Sequence, residues 1–173
     1  MDLSNFRVSH ETIWKFSGQV EENRTNYDTS DLNIQYPIDY EATLIKLGQD
    51  MDLECSISYY YSTPCSRCLK DTKTLVEYST HFIVLDASED SVSDDDFMEE
   101  VVHVVDDELN MDDLVMSLVI TSIPSKVICD EDCKGLCPQC GKNLNDDSCD
   151  CHLDVKDQRF DVLKNLFNEH KEV

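Results

Sequence analysis

CDEDCKGLCPQCGKNLNDDSCDC, residues 129–151, holds six of the chain's nine cysteines in 23 positions, spaced C-x3-C-x3-C-x2-C-x8-C-x-C. Two thiolates separated by two residues bind one ion when the chain turns tightly between them. Cys137-Pro138-Gln139-Cys140-Gly141 suits such a turn, because Pro138 presets φ and Gly141 accepts the positive φ that often follows. Gly135 and Gly141 are two of only four glycines in the protein, so the backbone of this segment is specified as well as its thiols. The pattern predicts a structural zinc knuckle.

The redox setting supports that reading. MDLSNFRVSH contains no apolar run of the kind that opens a secreted protein, and nine cysteines cannot all pair with one another. A cytoplasmic location is expected, where clustered cysteines are chiefly metal ligands. Six thiols exceed the four that a closed tetrahedral site needs. Cys137 and Cys140 are the firm pair, Cys133 and Cys149 complete the expected set, and Cys129 and Cys151 are alternates. Cys129 follows Val127-Ile128 and reads equally well as a buried apolar cysteine. His152 beside Cys151 reads as a bystander.

Upstream of this segment the sequence reads as sheet. Ile13–Val20 alternates, as do residues 32–38, while residues 42–47 and 53–61 are richer in β-branched and aromatic side chains. Gly48-Gln49-Asp50 is a plausible hairpin turn, and residues 74–85 complete about five strands at hairpin spacing. Residues 101–105 (VVHVV) add a possible sixth, with His103 a core or edge histidine. Asn110 can cap a helix in which Leu114, Val115, Leu118 and Val119 form a stripe, ending before Pro124. A second helix is expected over residues 157–170, with Phe160, Leu163, Leu166 and Phe167 on one face.

The expected fold is α+β: an antiparallel sheet or small open β-barrel of five to six strands, two helices and a C-terminal zinc-knuckle segment. Residues 1–125 would form the α+β domain. Residues 126–173 would carry the cysteine segment and a terminal helix packed on that domain. No run approaches the length of a membrane span.

A second C-x2-C lies at an expected hairpin tip, Cys65-Ser66-Arg67-Cys68-Leu69, with only Cys55 nearby in sequence. It could contribute to the C-terminal zinc, form a surface binding loop centred on Arg67, or hold two half-buried thiols. The last two readings are favoured, since a redox C-x-x-C opens a helix and a hairpin supplies none.

The formal charge is −23, and residues 86–113 carry 13 acids and no base. Within them, residues 86–100 have the low apolar content and dense like charge of a flexible loop. Such a field repels nucleic acid at long range and favours basic partners, although a solvated acidic loop is the plainer reading. No phosphate-binding glycine loop, G-x-S-x-G or H-E-x-x-H is present, and a sulfur-saturated zinc leaves no open catalytic position. Nothing points to an enzyme or to a small-molecule substrate.

The mid-sequence C-x-R-C-L at 65–69, joined to C-x3-C-x-G-L-C-P-x-C-G-x-N-L-N and a closing C-x-C, resembles the YceD family, linked to accumulation of large-subunit ribosomal RNA. Gly135, Leu136, Pro138, Gly141, Asn143, Leu144 and Asn145 stand where that pattern expects them. The resemblance implies an accessory factor in large ribosomal subunit assembly, without catalytic residues. Its partner would be large-subunit rRNA or a basic ribosomal protein. In the first case Arg67, Lys134, Lys142, Asn143 and Asn145 are the expected contacts; in the second, the acidic 86–113 stretch holds the protein. A thiol or zinc sensor is a third possibility.

Overall fold

The computed structural model describes residues 1–48, 50–86 and 101–151. Five strands follow in sequence order: β1 (Ile13–Val20), β2 (Ile34–Leu47), β3 (Asp50–Pro64), β4 (Asp71–Asp86) and β5 (Val101–Val104). They lie side by side in that same order in one open sheet. Two helices accompany them, α1 (Ser4–Val8) and α2 (Met111–Ser122).

β1 to β4 are antiparallel neighbours, as hairpin spacing requires. Leu47 pairs with Asp50 and Gly48 has φ +74°, so the expected turn is present. Residues 32–38 and 42–47, expected as two strands, are one: β2 runs through, with its register shifting between Gln35 and Asp39. Pro37 lies inside the shift and has no N–H to give the ladder. The expectation of an all-antiparallel sheet is corrected at its edge. β5 pairs with β4 in parallel, Ile83 with Val101 through Asp86 with Val104. A hairpin-length turn cannot make a parallel pair; here residues 87–100, where the acidic loop was placed, intervene and lie outside the described residues.

The strict alternation of β3 decides which side is core. Met51, Leu53, Cys55, Ile57 and Tyr59 are buried on one face, joined by Ile38, Ala42 and Leu44 from β2 and by Val76, Phe82 and Val84 from β4. α2 lies on this face. Asn110 Oδ1 accepts from the Asp113 amide at 3.2 Å, the expected N-cap, and acids occupy the first turn. Met111, Leu114, Val115, Met116, Leu118 and Val119 are all buried, a broader arc than the four-residue stripe. Tyr59 Oη closes the far end of the helix, donating to the Val119 carbonyl at 3.2 Å and lying 3.0 Å from Ser122 Oγ.

α1 was not expected from the sequence. Its five residues have no capping hydrogen bond from Leu3, and what holds the helix is tertiary: Phe6 packs on Trp14, while Arg7 pairs with Asp86 and Asp107. His103 is an exposed edge residue of β5. The terminal helix expected over residues 157–170, and His152, lie outside the described residues. Among the described residues no helix is long and apolar enough to cross a membrane.

The Tyr59 hydroxyl is a buried group whose partners all belong to the last turn of α2. Tyr59→Phe is expected to lower the free energy of unfolding by about 1 kcal/mol, read from denaturant melts. An unchanged midpoint would show that the hydroxyl does not hold α2 to β3.

Candidate metal centres

The β3–β4 hairpin closes on Cys65-Ser66-Arg67-Cys68-Leu69-Lys70, with the Cys65 amide donating to the Lys70 carbonyl at 2.8 Å. Inside the tip, the Leu69 amide donates to the Cys65 carbonyl at 2.9 Å, and Leu69 takes φ +61°. The turn at Cys137–Gly141 repeats this: the Gly141 amide donates to the Cys137 carbonyl at 2.8 Å, with φ +72° at Gly141. The two C-x2-C motifs are therefore the same knuckle, one with glycine and one with leucine at the left-handed position.

After α2 the backbone returns to the hairpin tip. The Ser66 amide donates to the Val127 carbonyl at 2.8 Å, and the Leu136 amide to the Arg67 carbonyl at 3.1 Å. Arg67 Nη1 donates to the carbonyls of Glu131 and Cys133 at 3.0 and 2.9 Å. These bonds bring Cys129 and Cys133 against Cys65 and Cys68, and the four Sγ atoms lie within 4.8 Å of one another. Cys65 and Cys133 Sγ are 3.9 Å apart, Cys68 and Cys129 Sγ 3.5 Å. Four sulfurs at about 2.3 Å from one tetrahedral ion are separated by about 3.8 Å, whereas a disulfide needs about 2.05 Å. The spacing fits a shared ion.

Cys137, Cys140, Cys149 and Cys151 form a second group, again with all Sγ atoms within 4.8 Å. It is local in sequence and more open: Cys137 is buried and Cys140 exposed. Asn145 and the Leu144 backbone tie the two groups together. The Leu144 amide donates to the Gly135 carbonyl at 2.9 Å, the Lys134 amide to Asn145 Oδ1 at 2.8 Å, and Asn145 Nδ2 to Cys133 Sγ at 3.3 Å.

Electrostatics within each group favours a cation. Burial raises the Cys65 thiol, yet the amides of Cys68, Arg67 and Cys129 outweigh it and bring it down to about 6. Amides of Cys140 and Gln139 likewise bring Cys137 to about 6. Their neighbours move the other way. Cys129 is pushed up to about 12 by Cys68 and Cys133, and Cys151 to about 12 by Cys140 and then its burial. Thiolates so close cannot all ionise unless a positive ion lies among them.

Cys137, Cys140 and Cys149 thus stand together, joined by the alternate Cys151. Cys133, expected as the fourth member of that set, is instead with Cys65, Cys68 and Cys129. The four residues first expected to share an ion do not converge on one point. The reason is the Leu136–Arg67 bond, which turns Cys133 toward the hairpin tip. The clue in the sequence was the repeated C-x2-C followed by a left-handed residue, hidden because Leu69 is not glycine. Cys55 belongs to neither group; burial in β3 pushes its thiol up to about 11. Of the expected partner contacts, Arg67, Lys142, Asn143 and Asn145 make hydrogen bonds within this region, and Lys134 is exposed.

Gly135 has φ +75°, and a Cβ there would lie 3.0 Å from the Arg67 carbonyl oxygen. Gly141 has a similar φ with nothing within 4 Å. Gly141→Ala is expected to cost about 1–2 kcal/mol through backbone strain alone. Gly135→Ala should cost clearly more, because the tip contact must also give way. Equal melting shifts would contradict the close approach at Arg67.

Residues 53–167, more than half of the protein, match the family described as large ribosomal RNA subunit accumulation protein YceD. The chain is similar to the "large ribosomal RNA subunit accumulation protein YCED homolog 1, chloroplastic" of Arabidopsis thaliana, with 41% identity over 59 residues, 34% of this chain and 18% of that protein. It is also similar to uncharacterized proteins of Mycobacterium tuberculosis (strain ATCC 25618 / H37Rv) and Mycobacterium bovis. Each is 33% identical over 82 residues, 46% of this chain and 38% of the relative. The match thus spans well under half the length of these relatives. No solved structure matches it. The matched region runs from β3 through the hairpin tip, α2 and both cysteine groups, and on this match the chain belongs to the YceD family.

Proposed function

We propose that this protein is a non-enzymatic accessory factor in large ribosomal subunit assembly, acting through contact with large-subunit rRNA and stabilised by a structural zinc at Cys137, Cys140, Cys149 and Cys151. The family match over residues 53–167 carries the reading. The sulfur-only donor set supports a closed, structural ion rather than a catalytic one. Free clustered thiols fit a reducing compartment such as the cytoplasm.

In this reading Arg67, Asn143 and Asn145 shape the contact surface, since their side chains bind the segment together. Lys134, exposed on the loop between the two groups, meets the phosphate backbone. Lys142, held beside Asp147 at 3.2 Å, assists it. With a charge of −23, and with Asp130, Asp132 and Asp146 lining a cleft in this same region, RNA contact must be confined to these few lysines.

A second reading has its own observation. Asp106, Glu108, Asp112 and Asp113 line one open cleft with His103 and Met1, an acidic surface suited to a basic ribosomal protein.

Ultraviolet crosslinking in growing cells, followed by sequencing of the attached RNA, tests the first reading. A discrete peak on large-subunit rRNA, weakened several-fold by Lys134→Glu, is expected. No RNA above background would contradict it and favour the basic protein client. Cys137→Ser is expected to speed hydrogen exchange over residues 137–151 and lower zinc content, because structural zinc contributes folding energy directly. Unchanged metal and exchange would remove the zinc from this account.

A further inference from the structure

We propose that Cys65, Cys68, Cys129 and Cys133 bind a second zinc ion of their own, and that this ion staples the cysteine segment to the end of the sheet. The proposal uses a different set of sulfurs from the site at 137–151 and stands or falls independently of the ribosomal role.

Geometry is the first support. The Sγ separations of 3.9 and 3.5 Å bracket the roughly 3.8 Å expected around one tetrahedral ion. All four are free thiols, three of them buried, and the fourth, Cys129, lies half-covered beside them.

Buried thiols sometimes serve simply as small apolar side chains, and Cys55 in β3 is one. The hairpin-tip group differs because N–H donors point at its sulfurs. The amides of Arg67 and Cys129 approach Cys65 Sγ at 3.4 and 3.3 Å, and Asn145 Nδ2 approaches Cys133 Sγ at 3.3 Å. Donors so placed stabilise thiolate ligands and orient them, the task of the shell around a metal site. An apolar cluster has no use for them.

Backbone strain is the second support. Leu69 holds φ +61° while it is 65% exposed, so no burial of that leucine offsets the strain. The conformation is the one that Gly141 adopts in the other knuckle, where its amide likewise donates back to the carbonyl of the first cysteine. A turn kept against the preference of its own residue, in the shape of a zinc knuckle, implies that the sulfurs set the geometry.

Position gives the site its task. Cys65 and Cys68 sit between β3 and β4, and Cys129 and Cys133 lie beyond α2, 61 to 68 residues away in sequence. The 137–151 group closes only a local loop. An ion at the hairpin tip joins the segment to the sheet; an ion at 137–151 orders the segment alone.

Titration of the metal-free full-length protein with cobalt(II), then zinc, together with elemental analysis of the purified protein, tests this. Two equivalents with tetrahedral thiolate spectra, and two zinc per molecule, are expected. Cys65→Ser/Cys68→Ser should bind one equivalent and become cleavable by protease between α2 and Gly135. Cys137→Ser/Cys140→Ser should also bind one, while residues 125–136 stay protected. Saturation of the wild-type protein at one equivalent would overturn the proposal even if a variant fails to fold. So would two equivalents retained by Cys65→Ser/Cys68→Ser, or iron in place of zinc.

Discussion

The fold of the C-terminal half depends on one long-range junction, where the tip of the β3–β4 hairpin meets the segment that leaves α2. Among the described residues five hydrogen bonds make it: Ser66 to Val127, Leu136 to Arg67, Arg67 to both Glu131 and Cys133, and the Cys129 amide to Cys65 Sγ. Closing a loop of this length costs about 4 kcal/mol, and each bond returns about 1 kcal/mol net. The junction on hydrogen bonds alone is near balance. A structural zinc contributes on the order of 10 kcal/mol, so an ion among Cys65, Cys68, Cys129 and Cys133 would decide the matter.

The junction also explains the side chains around it. Arg67, in an exposed loop and beside a cysteine motif, reads from sequence as a recognition residue. Its guanidinium instead closes carbonyls of the segment facing it. Asn145 likewise spends one amide on Cys133 Sγ and its oxygen on the Lys134 amide. Residues that shape a surface need not be those that touch the partner, and the exposed Lys134 is better placed for contact. Acids stand close by, Asp130, Asp132 and Asp146 lining a cleft with Cys129 and Cys133, and others gather at the start of α2 and along β5.

Features set by local chemistry were legible in the sequence: the alternation of β1, the β-branched and aromatic run of β3, the turn at Gly48, the Asn110 cap and the Cys137–Gly141 knuckle. What escaped was set by distance or by packing. Residues 32–38 and 42–47 read as two strands because Pro37 breaks the ladder pattern without ending the strand. The parallel pairing of β5 is invisible to a pattern that counts only neighbours. α1 has too few residues and no hydrogen-bonded cap at its start, so its existence rests on Phe6 against Trp14 and Arg7 against Asp86. The partnership of Cys65 and Cys68 with Cys129 and Cys133 was missed for the same reason. Counting thiols near the Cys65–Cys68 pair finds only Cys55, whereas the partners of Cys65 arrive 64 and 68 residues later.

Anomalous diffraction at the zinc edge from crystals of the full-length protein, purified without added metal, is the most direct test of this account. Two peaks are predicted: one enclosed by Cys65, Cys68, Cys129 and Cys133, the other by Cys137, Cys140, Cys149 and Cys151. A single peak at the second group, with the hairpin-tip sulfurs empty or joined in pairs, would contradict it.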